Sequence, residues 1–133
     1  VKQRITRPMA IIEDQIFEGL IGKTLTAIKI DDKYVAWILF VVSEDEKYLL
    51  HNDEADCNDV QVTIDDINGD INDLVGSPLT MAESVSNEAF EKTQDAEGTW
   101  TFYRFATIKG YVDIRWFGTS NGYYSETVTL ERL

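Results

Sequence analysis

Apolar and polar positions alternate most regularly between residues 99 and 130, TWTFYRFATIKGYVDIRWFGTSNGYYSETVTL, and this stretch predicts three antiparallel strands. Trp100 to Ile108 and Tyr111 to Phe117 are rich in aromatic and β-branched residues, with Lys109-Gly110 between them as a two-residue turn. That turn pairs Ile108 with Tyr111, Phe105 with Ile114 and Tyr103 with Trp116. It puts Tyr103, Phe105, Val112, Ile114 and Trp116 on one face, the core face. A second turn through Ser120-Asn121, with Gly122 in the left-handed conformation, aligns Ile114 with Val128 and Val112 with Leu130. Nine of the fifteen aromatic residues lie between Trp100 and Tyr124, so much of the bulk available for a core is here.

Earlier in the chain the period changes. Ile12, Ile16, Leu20 and their neighbours Phe17 and Ile21 share one helical stripe, which predicts a helix over Met9 to Ile21 ended by Gly22. Leu25 to Ile30 alternates as a strand. Tyr34 to Val42 is an unbroken apolar run that reads as a strand buried on both faces, and Lys47 to His51 returns as a third strand of a meander. Asn52 to Asp59 reads as an acidic loop and Val60 to Ile64 as a short strand. Asp70 fits the N-cap of a short helix through Val75, which Gly76 and Pro78 terminate. Leu79 to Val85 is a further strand, and Ser86 to Gly98 a surface loop. LIGKTLT at residues 20–26 is echoed by LVGSPLT at residues 74–80, which predicts a repeated helix-stop-strand corner and two halves about a pseudo-twofold axis. The expected fold is a single α+β domain over residues 9–133, mainly antiparallel, with about seven strands and one or two short helices, preceded by a mobile arm at residues 1–8.

The outward face of the predicted hairpin carries the first candidate site. The register above sets Arg104 directly across from Arg115, flanked by Phe102, Tyr111 and Phe117, with Asp113 one step along. Opposed like charges need compensation. Either an anion or a peptide carboxylate supplies it, held by guanidinium groups among aromatic rings, or Asp113 and a second acidic side chain do.

Charge adds a second candidate. The 133-residue chain has a formal charge of −12, and residues 44–97 alone hold sixteen Asp or Glu against Lys47 and Lys92. A field of this sign disfavours nucleic acid and anionic membranes and favours basic partners or cations, although acidity also serves solubility alone. Glu44, Asp45, Glu46, Asp53, Glu54, Asp56 and Asp59 cluster around the end of the meander and are the candidate partner-binding residues. The longest apolar run has nine residues, about half of the ~18 that span a membrane, and the amino terminus has no signal-peptide pattern. These features, with the single Cys57, lead us to expect a soluble cytoplasmic protein.

Other chemistry is weakly represented. His51, Asp53, Asp56 and Cys57 lack zinc-site spacing, and the run from Asp65 to Asp73 puts its glycine at the wrong position for an EF-hand, so no metal or cofactor is expected. There is one histidine, no phosphate loop and no nucleophile elbow, so no catalytic residues are assigned and the protein is not expected to be an enzyme.

The segments LIGKTLTAIKID, INDLVGSPLTMAE and, above all, ATIKGYVDIRWFGTSNGYYSE resemble a family of short acidic phage and bacterial proteins grouped as a domain of unknown function. The resemblance implies a compact β-rich domain and a phage or mobile-element setting, without an activity. It also implies a cysteine pair after the third strand, of which this chain has only Cys57.

The first functional expectation is therefore an inhibitor or modulator of a basic, nucleic-acid-handling host protein, with an anti-defence or anti-CRISPR role. Carboxylates would occupy the partner's phosphate-binding Lys and Arg residues as a DNA mimic does. The alternatives are a binding module for a small anion or peptide carboxylate on the Arg104 and Arg115 face, and a homodimeric assembly protein.

Overall fold

The structure, a computed structural model, describes residues 15–32, 35–52, 60–84, 99–120 and 128–133. Helical residues 15–20 lead into β1 (Ala27–Asp31), β2 (Trp37–Ser43), β3 (Glu46–His51) and β4 (Val60–Asn68). A single 3-10 turn (Ile71–Leu74) then precedes β5 (Met81–Ser84), β6 (Thr99–Thr107), β7 (Gly110–Ser120) and β8 (Thr129–Arg132). The strands form two four-stranded antiparallel sheets, ordered β1-β2-β3-β8 and β4-β7-β6-β5. Ile38, Phe40, Tyr48, Leu50 and Leu130 of the first sheet and Tyr103, Phe105, Val112, Ile114 and Trp116 of the second are buried in one cluster. The inner faces meet where the Phe40 and Phe105 rings lie 4.9 Å apart, and Phe17 of the helix stacks on Tyr103 at 5.6 Å. The mainly antiparallel α+β architecture is as the periodicity predicts, with eight strands among the described residues rather than about seven.

The echoed corners are joined to each other. Gly22 and Gly76 have φ of 90° and 91°, so each ends its helical turn in the left-handed region. The Gly22 N–H donates to the Leu79 carbonyl at 2.7 Å, and the Gly76 N–H donates to the Leu25 carbonyl at 3.0 Å, a reciprocal pair under the 54-residue displacement. Thr26 then donates N–H and hydroxyl to the Val41 carbonyl of β2, at 2.8 and 3.1 Å. Thr80 does the same to the Ala106 carbonyl of β6, at 2.8 and 3.3 Å. Leu20, Leu25, Leu74 and Leu79 are all buried beneath. Each corner thus starts a three-strand meander, and the strand that follows crosses to the other sheet: β4 joins β7, and β8 joins β3.

Four expectations are corrected. The β6–β7 turn is Ile108-Lys109, closed by the pair Thr107 and Gly110, so the register slips by two and Arg104 faces Asp113, with Arg115 opposite Phe102. A slip of two keeps every side chain on its expected face, which is why the core assignment survives it. The turn is held by tertiary contacts: the Thr107 hydroxyl donates to the Asp73 carbonyl at 2.5 Å and Lys109 Nζ to the Val75 carbonyl at 2.7 Å. Second, β8 does not pair with β7. The outer edge of β7 is occupied by β4 from Val60–Ser120 to Asn68–Asp113, and Leu130 pairs with Leu50 instead. Third, β4 runs past Ile64 because Asp65 forms a bulge, an extra residue that lets Val62, Ile64 and Ile67 all face the core. Fourth, β2 is fully buried on one face only: Ile38 and Phe40 are inside, while Trp37, Leu39 and Val41 are half-buried. The arm and the loop at residues 86–98 lie outside the described residues, as does the start of the predicted helix.

Open space surrounds Gly22, and the nearest atom to a side chain at Gly76 would be Lys109 Nζ at 3.5 Å, so alanine there meets conformational strain alone. Gly22→Ala and Gly76→Ala are each expected to lose about 1–2 kcal/mol in urea unfolding, the two costs matching because the corners are equivalent. Gly19→Ala, in the helical segment with nothing within 4 Å, should gain about 0.5–1 kcal/mol. A Gly76 variant as stable as the parent would contradict the corner's role.

Candidate functional site

The outward face of the second sheet is set by alternation along its strands. β6 presents Trp100, Phe102, Arg104 and Ala106, β7 presents Tyr111, Asp113, Arg115 and Phe117, and β5 adds Met81 and Glu83. Tyr111 is 56% and Met81 36% exposed, large side chains left in solvent beside strands that bury their alternate residues completely. All five residues of the predicted Arg and aromatic site lie on this face, but the two arginines are not opposed.

Each guanidinium already has a carboxylate and a ring. Arg104 Nε and Nη2 donate to the two oxygens of Asp113 at 2.6 and 3.1 Å, and its Cζ lies 5.7 Å from the Tyr111 ring centre. Arg115 reaches the bulged Asp65 at 2.5–2.6 Å and lies 5.1 Å from the centre of Trp100, whose ring packs on Phe117 at 4.6 Å. The hydrogen bonds to Asp113, its charge and that of Glu83 hold Arg104 more firmly protonated than usual. These four charged side chains are 32–45% exposed, so solvent screens both ion pairs and neither is a large source of stability. A bound anion would compete with Asp113 or Asp65 for these guanidinium groups.

Two depressions flank the Arg104–Asp113 pair. One, of about 450 Å³, is lined by Met81, Arg104, Ala106, Thr107, Gly110 and Tyr111. The other, about 250 Å³, lies over β7 between Asp66 and Asn68 of β4 and Phe102 of β6. Met81, Glu83, Ala106 and Asp65 join this face without any sequence motif to mark them. The alternation of Met81, Ala82 and Glu83 was visible, but not that β5 borders β6. The Asp65 bulge lies just past the Ile64 end of the predicted strand, at the start of the run weighed as a calcium loop.

The predicted acidic patch divides. Glu44 and Asp45 are exposed at the β2–β3 turn, while Asp53, Glu54, Asp56 and Asp59 lie outside the described residues. Glu46 faces inward instead. It accepts the Tyr48 hydroxyl at 2.6 Å and pairs with Lys23 at 3.3 Å and Arg132 at 3.8 Å. Its carboxyl is held below the usual range, first by the Tyr48 hydroxyl and then, against the effect of burial, by Lys23 and Arg132. Burial, together with Glu46, pushes the Tyr48 hydroxyl up to about 12. His51 contacts Glu131 at 2.7 Å, and among the described residues no group of three or more His, Cys, Asp or Glu side chains is placed to hold a metal ion. Among the same residues no helix is long and apolar enough to cross a membrane.

Residues 18–130 match the model of a family described as Domain of unknown function (DUF7448). No curated protein and no solved structure matches the chain.

Glu46→Gln should cost about 1 kcal/mol at neutral pH. Because folding lowers the Glu46 pKa, the parent's advantage is complete above the ordinary value of 4.5 and shrinks as pH falls below it. Tyr48 is raised, so its contribution is complete below pH 10 and fades as pH climbs towards about 12. Urea unfolding of parent, Glu46→Gln and Tyr48→Phe across pH 3–11 checks both limbs. A parent-to-Glu46→Gln difference that stayed constant down to pH 3 would contradict the assignment.

Proposed function

The chain belongs to the DUF7448 family, and from that premise we propose that it is a non-catalytic binding protein whose partner is a basic protein surface. One observation carries this reading: the outer face of the second sheet combines exposed Met81 and Tyr111 with Trp100 and Phe102, while both arginines are internally neutralised. Aromatic, methionine and arginine side chains are those enriched at the centres of protein interfaces. Asp65, Asp66, Glu83 and Asp113 outnumber Arg104 and Arg115 there, so the face is negative overall and agrees in sign with the chain's −12. That field speeds encounter with a positive partner and opposes self-association, which weakens the homodimer reading.

The specific form we favour is inhibition or modulation of a nucleic-acid-handling protein by occupancy. Carboxylates stand in for phosphates at the partner's Lys and Arg residues, while the aromatic centre supplies slow dissociation. The contact centre moves from the Glu44–Asp45 turn to the second sheet, because Glu46 is committed internally and the turn belongs to the other sheet. The anion-site reading of Arg104 and Arg115 is weaker, since both guanidiniums are already paired.

The test is affinity capture from a bacterial lysate with the parent, a Glu83→Lys/Tyr111→Ala variant and a Glu44→Lys/Asp45→Lys variant, read by mass spectrometry. Basic nucleic-acid-binding proteins should be retained by the parent at about 50 mM salt and released by about 300 mM. The sheet variant should lose them and the turn variant should keep them. Retention by the sheet variant equal to the parent's would refute the assignment.

A further inference from the structure

We propose that the outer face of the first sheet binds a second copy of this chain, face to face about a twofold axis parallel to the strands, with Lys29 of each copy over Glu131 of the other. This surface lies on the opposite side of the sandwich from the aromatic face assigned to the basic partner, so the two contacts stand or fall separately. The composition of β2 points to it. Outward positions of an antiparallel sandwich are ordinarily polar, yet Trp37, Leu39 and Val41 occupy them on β2 and Leu49 on β3. These four are half-buried, whereas their inward neighbours Ile38, Phe40, Tyr48 and Leu50 are buried. The helical segment and the second sheet both pack on the inward side. An apolar strip edged by charged residues has the composition of a binding surface.

Strand register identifies what fits the strip. Lys29 pairs with Leu39, Leu39 with Leu49 and Leu49 with Glu131, so one row across all four strands reads Lys, Leu, Leu, Glu. A twofold axis running along the strands between β2 and β3 reverses that row in the second copy. Each Lys29 then lies over a Glu131, and each Leu39 over a Leu49. In the next row, Ala27, Val41 and Lys47, the same rotation lays the Lys47 stem over Val41. An axis across the strands would stack Lys29 on Lys29 and Glu131 on Glu131, so charge selects the first arrangement. Lys29 is exposed and has no ion-pair partner among the described residues. The Glu131 side chain is 54% exposed and contacts His51 through Oε1, which leaves Oε2 for the lysine. The chain's charge of −12 opposes approach at a distance. Salt screens that repulsion beyond about 8 Å, and the contact face itself is balanced, with Lys29 and Lys47 against Asp31 and Glu131.

The test is sedimentation velocity on the whole chain from about 5 to about 500 µM, a span that covers weak reversible association, at about 150 mM salt. The parent should pass from monomer to dimer across this range. Lys29→Glu and Glu131→Lys should each weaken the dimer about tenfold, because each sets like charges over one another at both ends of the row. Mixing the two variants should restore it, since both end contacts of the mixed dimer are again attractive. Both positions are exposed at the sheet's edges, and far-UV circular dichroism checks that the variants fold. Tyr111→Ala, on the outer face of the second sheet, should leave the dimer unchanged. A parent that stays monomeric throughout overturns the proposal. So does a dimer undiminished in both single variants, one that mixing fails to recover, or one lost with Tyr111→Ala and kept with Lys29→Glu.

Discussion

The rest of the structure depends on two backbone hydrogen bonds, from Gly22 to Leu79 and from Gly76 to Leu25. They bind the two helix-stop corners to each other and bury Leu20, Leu25, Leu74 and Leu79 at the junction. Everything after each corner is constrained by it. Thr26 and Thr80 tie their corners to the carbonyls of Val41 and Ala106, which sets where β1 and β5 lie along β2 and β6. Because the strand that closes each sheet comes from the other half of the chain, neither half completes its sheet alone. The apolar faces are covered only once both halves are present.

The outer face of the second sheet follows from that frame. Thr107 and Lys109 fasten the β6–β7 tip to the 3-10 turn and its corner, and this selects the register in which Arg104 meets Asp113. The alternative register, two residues away, would bury the same side chains but oppose Arg104 to Arg115. The bulge at Asp65 supplies the carboxylate that the second arginine needs. The electrostatics of the face are therefore a product of tertiary fastening, which leaves an aromatic and aliphatic surface with carboxylates in excess.

The acidity of the chain has more than one use. Glu46 sits in the most strongly acidic segment by sequence, yet it is spent on Tyr48, Lys23 and Arg132 and helps hold β3 to β8 and to the first corner. Glu44 and Asp45, its immediate neighbours, point to solvent. Counting carboxylates gives the sign of the field, and side-chain pairing decides which of them a partner can reach.

The sequence by itself determined the strand content, the core face of the β6–β7 hairpin, the capped turn at Asp70 and the paired corners. All of these are local: period two, the glycine after a helical turn, and an Asx cap that accepts the Asn72 N–H at 2.9 Å. It also placed Phe102, Arg104, Tyr111, Arg115 and Phe117 on one face, because parity alone requires that. Tertiary structure decided the hairpin register, the crossing of β8 to the first sheet, the length of β4 and the groove beside Ala106. Alternation distinguishes odd slips from even ones but not a slip of two from none. An odd residue such as Asp65 ends a pattern on paper but only bulges a strand that has a partner. A groove formed by β5 beside β6 exists only once residues 81–84 and 103–106 are paired, a contact that no local spacing encodes.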